Sequence, residues 1–332
     1  VQSNNAVSNG SIYTFAFLGV GTVQTLSECL GDSVTVGTSI YYAALVNNTT
    51  SCEGSERAAV TLTINPAPKT AVSSGSIIEC EQNPIQTINA NDAITPQVGF
   101  TVKWYSDAVG GTEVISPILN TVGTKTYYAV YENDITGCQS NNRTQVDLTI
   151  NAAPVVPILD VDDSKRTQCE QSPIQTLDAN NSIVNIPVGY TVKWYNALNG
   201  GIEVTPTRNT VGTSTFYAVL VSQTTACESN SRTPVTLTIN ASPITVEIDA
   251  DDSNRNQCKQ EPIQTLDANL SVINVPVGYT VKWYDAETNG VEVLSPVLSA
   301  VGSKTYYAVL KNSVTGCESL VKTPVTLTIK DS

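Results

Sequence analysis

The sequence contains neither histidine nor methionine, and the first absence narrows the chemistry that the chain can perform. Histidine is the commonest general base at neutral pH and the commonest neutral metal ligand. Catalytic sites of the Ser-His-Asp, Cys-His and HExxH types are therefore excluded. Only carboxylates and tyrosines remain as candidate catalytic groups, and no nucleophile is paired with a base. The sequence thus predicts that the chain is not an enzyme and has no cofactor.

Long apolar runs and basic runs are also missing. No stretch approaches the roughly 18 apolar residues of a membrane-spanning helix, so we expect no membrane insertion. The 17 basic and 30 acidic residues leave a net charge of −13, which disfavours nucleic acid and anionic membrane surfaces as partners. Closely spaced cysteine pairs of the CxxC kind are absent, so a zinc–thiolate site is not expected.

The chain instead contains three tandem copies of one module of 89–90 residues. Each copy repeats nearly the same phrases: CEQNPIQT, CEQSPIQT and CKQEPIQT, then TVKWY, then KTYYAV or STFYAV. Because a fixed period of self-similarity indicates a tandem array, we divide the chain at its short proline-containing linkers. The predicted domains are a partial or divergent module at 1–66 and complete modules at 67–152, 153–241 and 242–332, here called modules one to four.

The pattern within each complete module predicts a β-sandwich. In residues 153–241, short runs rich in β-formers alternate with turns, and we predict strands over Val155–Leu159, Ile174–Ala179, Tyr190–Tyr195, Ile202–Val204, Thr215–Val221 and Pro234–Ile239. No helical period competes with this pattern. About seven short strands with a tryptophan on the third are typical of an immunoglobulin-like fold. We expect an all-β chain of tandem immunoglobulin-like modules that forms an elongated, semi-rigid rod.

Two cysteines and one tryptophan keep their places in every complete module. The tryptophan lies on an alternating central strand, so we expect core packing for Trp104, Trp194 and Trp283. Eight cysteines, two per module, indicate an oxidising compartment. We predict one structural disulfide within each module: Cys29–Cys52, Cys80–Cys138, Cys169–Cys227 and Cys258–Cys317. This pairing requires the segment before PIQT to fold back, because strict immunoglobulin polarity would leave the two cysteines about 20 Å apart.

The repeated phrases carry a resemblance to a known family. The combination of C-x-x-x-P-I-Q-T, V-K-W-Y, V-G-T-x-T-Y-Y-A-V, G-C-x-S and R-T-x-V-x-L-T-I resembles the bacterial immunoglobulin-like repeats of giant surface adhesins. Such repeats occur in the mobile adhesins of gliding bacteria, the SprB type, which type IX secretion exports. The resemblance covers residues 67–330 well and 34–66 partially.

This resemblance implies an extracellular, cell-surface location and a mechanical role. The expected function is that of a stalk segment that projects a binding region from the cell, with neighbouring modules of a longer chain as partners. A surface polysaccharide or a protein is a possible ligand. Two alternatives stay open: a carbohydrate-binding accessory region, and a decoration protein of a filament or virion surface.

Two further sites are suggested by local motifs. Acidic clusters precede the first cysteine in modules three and four, at Asp160, Asp162 and Asp163 and at Asp249, Asp251 and Asp252. Clustered carboxylates near a linker are compatible with bound Ca²⁺, and equally with a solvated turn in which Asp and Ser bond to their own backbone. Ser33, in Asp-Ser-Val, resembles the short O-glycosylation site of gliding bacteria.

Overall fold

The computed structural model describes the backbone of residues 5–8, 11–14, 24–30, 36–46 and 53–331, with side chains for 36–42, 44 and 55–331. The chain divides into two compact units, Val1–Ala152 and Ala153–Ser332, and each is described by itself. Within the described residues, no helix has the length and hydrophobicity that crossing a lipid bilayer requires.

The first unit contains module one and module two. The described strands of module one are β1 (Asn5–Ser8), β2 (Ser11–Thr14), β3 (Gln24–Leu30), β4 (Gly37–Val46) and β5 (Glu53–Pro66). Those of module two are β6 (Ile77–Cys80), β7 (Ile88–Asn89), β8 (Phe100–Tyr105), β9 (Ile118–Leu119), β10 (Gly123–Asn133) and β11 (Thr144–Asn151), with a 3₁₀ turn at Ala90–Ala93.

The second unit contains modules three and four. The strands of module three are β12 (Ile158–Leu159), β13 (Thr167–Cys169), β14 (Leu177–Asp178), β15 (Ile183–Val184), β16 (Tyr190–Tyr195), β17 (Thr207–Arg208), β18 (Gly212–Ser222) and β19 (Thr233–Asn240), with a 3₁₀ turn at Ala179–Ser182. Module four repeats them as β20 (Glu247–Ile248), β21 (Asn256–Cys258), β22 (Leu266–Asp267), β23 (Val272–Ile273), β24 (Tyr279–Tyr284), β25 (Val297–Leu298), β26 (Gly302–Asn312) and β27 (Thr323–Lys330), with a 3₁₀ turn at Ala268–Ser271.

One four-stranded sheet forms the larger layer of each complete module. In module three its strand order is β13-β19-β18-β16, and the same order recurs in modules two and four. The long pair β18–β19 and the pair β16–β18 are antiparallel, whereas β13 lies parallel to β19 at the edge. The apolar residues of β19 alternate with threonines, so the sheet buries one face and exposes the other.

Short two-stranded ladders cover the buried face of this sheet. In module three these are β12–β15 and β14–β17. The core between the layers contains Trp194, which is 4% exposed, together with Leu177, Ala218 and Leu237. Trp104 and Trp283 are buried in the same way, so the predicted core role of the three tryptophans is confirmed. Each indole N–H donates to an asparagine in the 3₁₀ turn: Trp104 to Asn91, Trp194 to Asn180 and Trp283 to Asn269.

The strand prediction for module three was right in the centre and wrong at one edge. The strand over Tyr190–Tyr195 has the predicted limits, and the predicted Thr215–Val221 lies inside the longer β18. The segment Ile202–Val204 is not a strand and makes only an isolated bridge, Tyr195 to Glu203. The edge strand β13 was missed, because its three residues, Thr-Gln-Cys, carry no apolar alternation.

Candidate functional site

The first cysteine of each complete module lies at the end of the sheet where the module finishes. In module three Cys169 is aligned with Asn240, the last residue of β19, and the Glu170 N–H donates to the Asn240 carbonyl at 2.8 Å. A loop motif fixes this cysteine. The Gln175 amide donates to the Cys169 carbonyl at 2.7 Å and accepts from the Gln171 N–H at 3.0 Å. The glutamines of the repeated phrase C-x-Q-x-P-I-Q therefore fix the position of the first cysteine.

The second cysteine lies at the opposite end, in the β18–β19 hairpin and its equivalents. The Ser222 N–H, at the far end of β18, donates to the Cys227 carbonyl at 2.9 Å, and the Cys227 residue is fully buried. Two residues later, the Ser229 hydroxyl donates to the Val155 carbonyl at 3.2 Å. The Thr233 hydroxyl donates to the Pro157 carbonyl at 2.7 Å. The phrases G-C-x-S and R-T thus tie the second cysteine to the segment where the module begins.

These positions rule out a disulfide within a complete module. Gly212 and Ser222 are the two ends of β18, and the ten residue steps between them span about 33 Å. A disulfide requires Cα atoms within about 7 Å of each other. The predicted pairs Cys169–Cys227 and Cys80–Cys138 are therefore wrong. Cys80 is aligned with Asn151, the last residue of β11. The Cys138 carbonyl accepts a hydrogen bond from the N–H of Asn133, which lies at the opposite end of the sheet, where β10 finishes.

The structure instead joins two successive modules. Cys169 of module three forms a disulfide with Cys317 of module four, with Cα atoms 5.4 Å apart and a sequence separation of 148. Cys317 occupies the place of Cys227, and Ser319 ties its hairpin to the Ile244 carbonyl at 2.7 Å. The end of module three and the start of module four are separated only by the linker, so the two cysteines meet across it.

Hydrogen bonds fasten the linker at the same point. The Ser242 N–H donates to a carboxylate oxygen of Glu170 at 3.1 Å, and the Ser242 hydroxyl donates to the Glu170 carbonyl at 3.3 Å. Glu170 follows Cys169 directly, so the residue beside the disulfide also anchors the linker. We call this arrangement, formed by Cys169, Glu170, Ser242 and Cys317, the junction.

The remaining cysteines differ in their bonding state. Cys258 is an exposed free thiol, so the predicted Cys258–Cys317 bond is wrong as well. Cys80, Cys138 and Cys227 are disulfide-bonded. The side chain of Cys29 and the whole of Cys52 lie outside the described residues, as does Ser33, so the Cys29–Cys52 bond and the glycosylation site stay predictions.

The acidic clusters form turns that bond to their own backbone. Asp160 accepts from the Asp162 N–H at 3.1 Å, and Asp162 accepts from the N–H and the hydroxyl of Ser164, both at 2.9 Å. These bonds from Ser164 lower the pKa of Asp162 below its usual range. The Asp163 carbonyl accepts hydrogen bonds from the backbone N–H groups of Arg166 and Thr167. The second cluster, Asp249, Asp251 and Asp252, repeats this pattern.

Across residues 36–42, 44 and 55–331, no group of three or more acidic or cysteine side chains converges as a metal site would. The calcium hypothesis for the two acidic clusters stays a prediction.

A second repeated group of side chains lies on the outer face of the sheet. We call it the outer-face cluster; in module three it consists of Lys193, Tyr195, Glu203, Glu228 and Arg232. The Lys193 ammonium lies 3.1 Å from Glu228 and 3.5 Å from Glu203, and the Tyr195 hydroxyl donates to Glu228 at 2.7 Å. The Arg232 guanidinium stacks on Tyr195, 3.6 Å from the ring centre. The cluster is an internally satisfied network of charges on a solvent-facing surface.

The equivalent clusters keep this arrangement with small changes. Module two has Gln139 as the acceptor of the Tyr105 hydroxyl, and Arg143 lies over that ring at 3.6 Å. Module four has Lys322 over Tyr284 at 3.9 Å. A cation therefore covers the ring of each of these three tyrosines, which leaves that face unavailable for stacking on a sugar.

Comparison with known protein families identifies the modules. The family model described as "Ig-like domain CHU_C associated" matches residues 68–152, 154–241 and 250–330. The chain belongs to this family. The three matched segments contain the repeated cysteines and tryptophans, and they agree with the all-β, tandem immunoglobulin-like architecture predicted from the sequence. A comparison with curated proteins finds no match.

Solved structures that resemble the chain are themselves tandem arrays. The eight N-terminal Ig domains of Down syndrome cell adhesion molecule are 12% identical, with a TM-score of 0.32, over 94% of this chain and 49% of that one. Sidekick-1 immunoglobulin domains 1–5 are 13% identical, with a TM-score of 0.24, over 93% and 78%. The chicken CNTN1 FN1–FN3 domains are 8% identical, with a TM-score of 0.28, over 72% and 92%. The chain spans about half the length of the first of these, and scores this low carry no argument about function.

The outer-face cluster predicts a pH-dependent stability in module four. Burial raises the pKa of Glu318, but hydrogen bonds from Tyr284 and Lys282 outweigh it and hold the pKa below the ordinary value of 4.5. The ionised carboxylate therefore stabilises the fold above about pH 4.5, and this contribution is lost as the pH falls through the lower folded-state value. We expect Glu318→Gln to destabilise module four more at pH 7 than at about pH 3.

Urea unfolding at both pH values measures this difference, with Glu287→Gln at an exposed position as the matched control. A destabilisation by Glu318→Gln that stays constant with pH would contradict the proposed ionic contribution.

The acidic turns predict a clear result for calcium removal. Since their carboxylates already accept hydrogen bonds from their own backbone, we expect a chelator to leave the melting temperature of the chain unchanged. Differential scanning calorimetry with EGTA and with added Ca²⁺ measures this directly. A melting temperature that falls with the chelator and recovers with Ca²⁺ would instead establish the calcium site, and Asp162→Asn would then reduce the recovery.

Proposed function

We propose that this chain is a stalk segment of a bacterial cell-surface adhesin, whose modules bear force along the chain and project a binding region from the cell. The observation that carries the proposal is the junction, where a covalent bond joins the end of one module to the start of the next. Gliding motility is the setting that the resemblance to SprB-type adhesins suggests, and secretion to the cell surface supplies the oxidising conditions that the disulfides need.

The position of the bond gives the stalk its mechanical property. Force that enters module three reaches Cys169, crosses the disulfide to Cys317 and leaves through the last residues of module four. The 148-residue separation of the two cysteines means that most of both modules lies within the covalent loop. Extended chain measures about 3.4 Å per residue, so this bond, taken by itself, prevents about 500 Å of extension even when both modules unfold.

The described modules favour a spacer over a sugar-binding role. A carbohydrate platform needs exposed aromatic rings on one face, and the rings of Tyr105, Tyr195 and Tyr284 are covered by cations. The charge of −13 disfavours lateral association between copies through general electrostatic repulsion. We therefore also propose that the chain has no enzymatic activity and that any ligand binds elsewhere in the adhesin.

Single-molecule stretching tests the mechanical role. The chain is held by its two ends and extended with an optical trap or atomic force microscope until every module has unfolded. Because Cys227 lies inside the loop and is itself disulfide-bonded, the comparison is made in a Cys227→Ser background. We expect the triple variant Cys169→Ser/Cys227→Ser/Cys317→Ser to reach a final length about 500 Å greater than Cys227→Ser alone under oxidising conditions, because the covalent loop is open.

The matched control is Cys258→Ser in the same Cys227→Ser background, which removes a free thiol inside the loop and should leave the final length unchanged. An equal final length for Cys227→Ser and the triple variant would overturn the proposal, since the bond would then not lie on the path of force.

A further inference from the structure

We propose that Cys258 is the attachment point for a following module of the same family, whose second cysteine bonds to it as Cys317 bonds to Cys169. This inference deepens the proposed function by naming a specific covalent partner for the last described module. It starts from the one described cysteine that is free, an exposed thiol at the end of module four.

The surroundings of Cys258 reproduce those of Cys169. Cys258 is aligned with Lys330 in the same parallel register in which Cys169 is aligned with Asn240. The Lys259 N–H donates to the Lys330 carbonyl at 2.9 Å, as Glu170 does to Asn240. The Gln264 amide donates to the Cys258 carbonyl at 2.7 Å, the same distance as from Gln175 to Cys169. The backbone around the Cys258 thiol therefore already has the hydrogen bonds that surround the bonded Cys169.

An independent observation identifies the partner. The equivalent thiol of module three is already bonded, and its partner is the second cysteine of the module that follows it. That cysteine is brought to the junction by the Ser319–Ile244 hydrogen bond, which fixes the hairpin to the start of its module. From Asn240 to Ile244 the chain spans at most about 14 Å, so a directly following module places its second cysteine within reach.

One residue of the junction differs in module four. Lys259 stands where Glu170 stands, so the side-chain acceptor for the linker N–H is replaced by an ammonium, which pairs with Glu261 at 2.9 Å. The second anchor of the linker, a hydroxyl bond to a backbone carbonyl, does not depend on this side chain. We therefore expect the disulfide at Cys258 to form with a less tightly held linker.

Formation of the bond is a two-electron oxidation. The Cys258 thiol and the partner thiol together lose two protons and two electrons as the S–S bond forms. A disulfide oxidant, either a small-molecule disulfide or the disulfide of an oxidoreductase, accepts them and is reduced to two thiols. The thiol of Cys258 is exposed, as exchange with such an oxidant requires.

The test lengthens the full chain by one module. A second copy of residues 243–332 is fused after Ser332, which keeps the linker length of the observed junction, and the appended copy of Cys258 is replaced by serine. The protein is oxidised with a glutathione redox couple, free thiols are alkylated, and a non-reducing digest is mapped by mass spectrometry. We expect a cross-linked peptide that contains Cys258 and the appended copy of Cys317, with Cys258 protected from alkylation.

Two controls make each outcome decisive. Replacing the appended copy of Cys317 by serine should leave Cys258 fully alkylated. The Cys169–Cys317 peptide in the same digest shows that the original junction has formed. If that peptide is present while Cys258 stays alkylated, or links two separate molecules through Cys258, the inference is overturned and the proposed function stands. If that peptide is absent, the junction itself is rejected, and both fail.

Discussion

The length of the long sheet strands is the constraint on which the rest of the structure depends. Strand β18 separates the two cysteines of module three by about 33 Å, a distance that no disulfide spans. The first cysteine is fixed where a module ends and the second where it begins. A bond can therefore form only between modules, and the chain realises this at Cys169 and Cys317.

The repeated sequence phrases acquire separate physical roles from this arrangement. The glutamine of PIQT holds the carbonyl of the first cysteine, and the serine of G-C-x-S holds the second cysteine at the start of its module. The tryptophan anchors the core and bonds to an asparagine of the 3₁₀ turn. The lysine and tyrosine of V-K-W-Y face outward and form a charge network with residues from the hairpins. Many of the repeated residues therefore determine the structure of the two ends of each module.

Much of the fold could be predicted from the sequence, since it depends on local alternation and on the period. The strand Tyr190–Tyr195, the buried tryptophans and the tandem immunoglobulin-like architecture follow from those patterns. The pairing of the cysteines could not be read in the same way, because a repeat offers the same two cysteines in every module and spacing alone does not distinguish a neighbour from the module itself. The sequence did indicate that the two cysteines of one module lie about 20 Å apart, which is too far for a disulfide. The observed strand makes this distance longer still.

Other features were missed for different reasons. The edge strand β13 has no apolar alternation, because it lies beside the module end and buries little. Arg232 and Glu228 were not recognised as partners of Tyr195, because their contacts join segments far apart in sequence. The tyrosine recurs unchanged in every complete module, whereas the other two positions keep only a cation and a polar acceptor.

The central claim is that successive modules, and not the two halves of one module, are joined by the disulfide. Mapping the cross-linked peptides of the oxidised, alkylated 332-residue chain by mass spectrometry after a non-reducing digest tests it most directly. The account predicts a peptide that joins Cys169 to Cys317, with Cys258 alkylated. A peptide that joins Cys169 to Cys227, or Cys258 to Cys317, would contradict it.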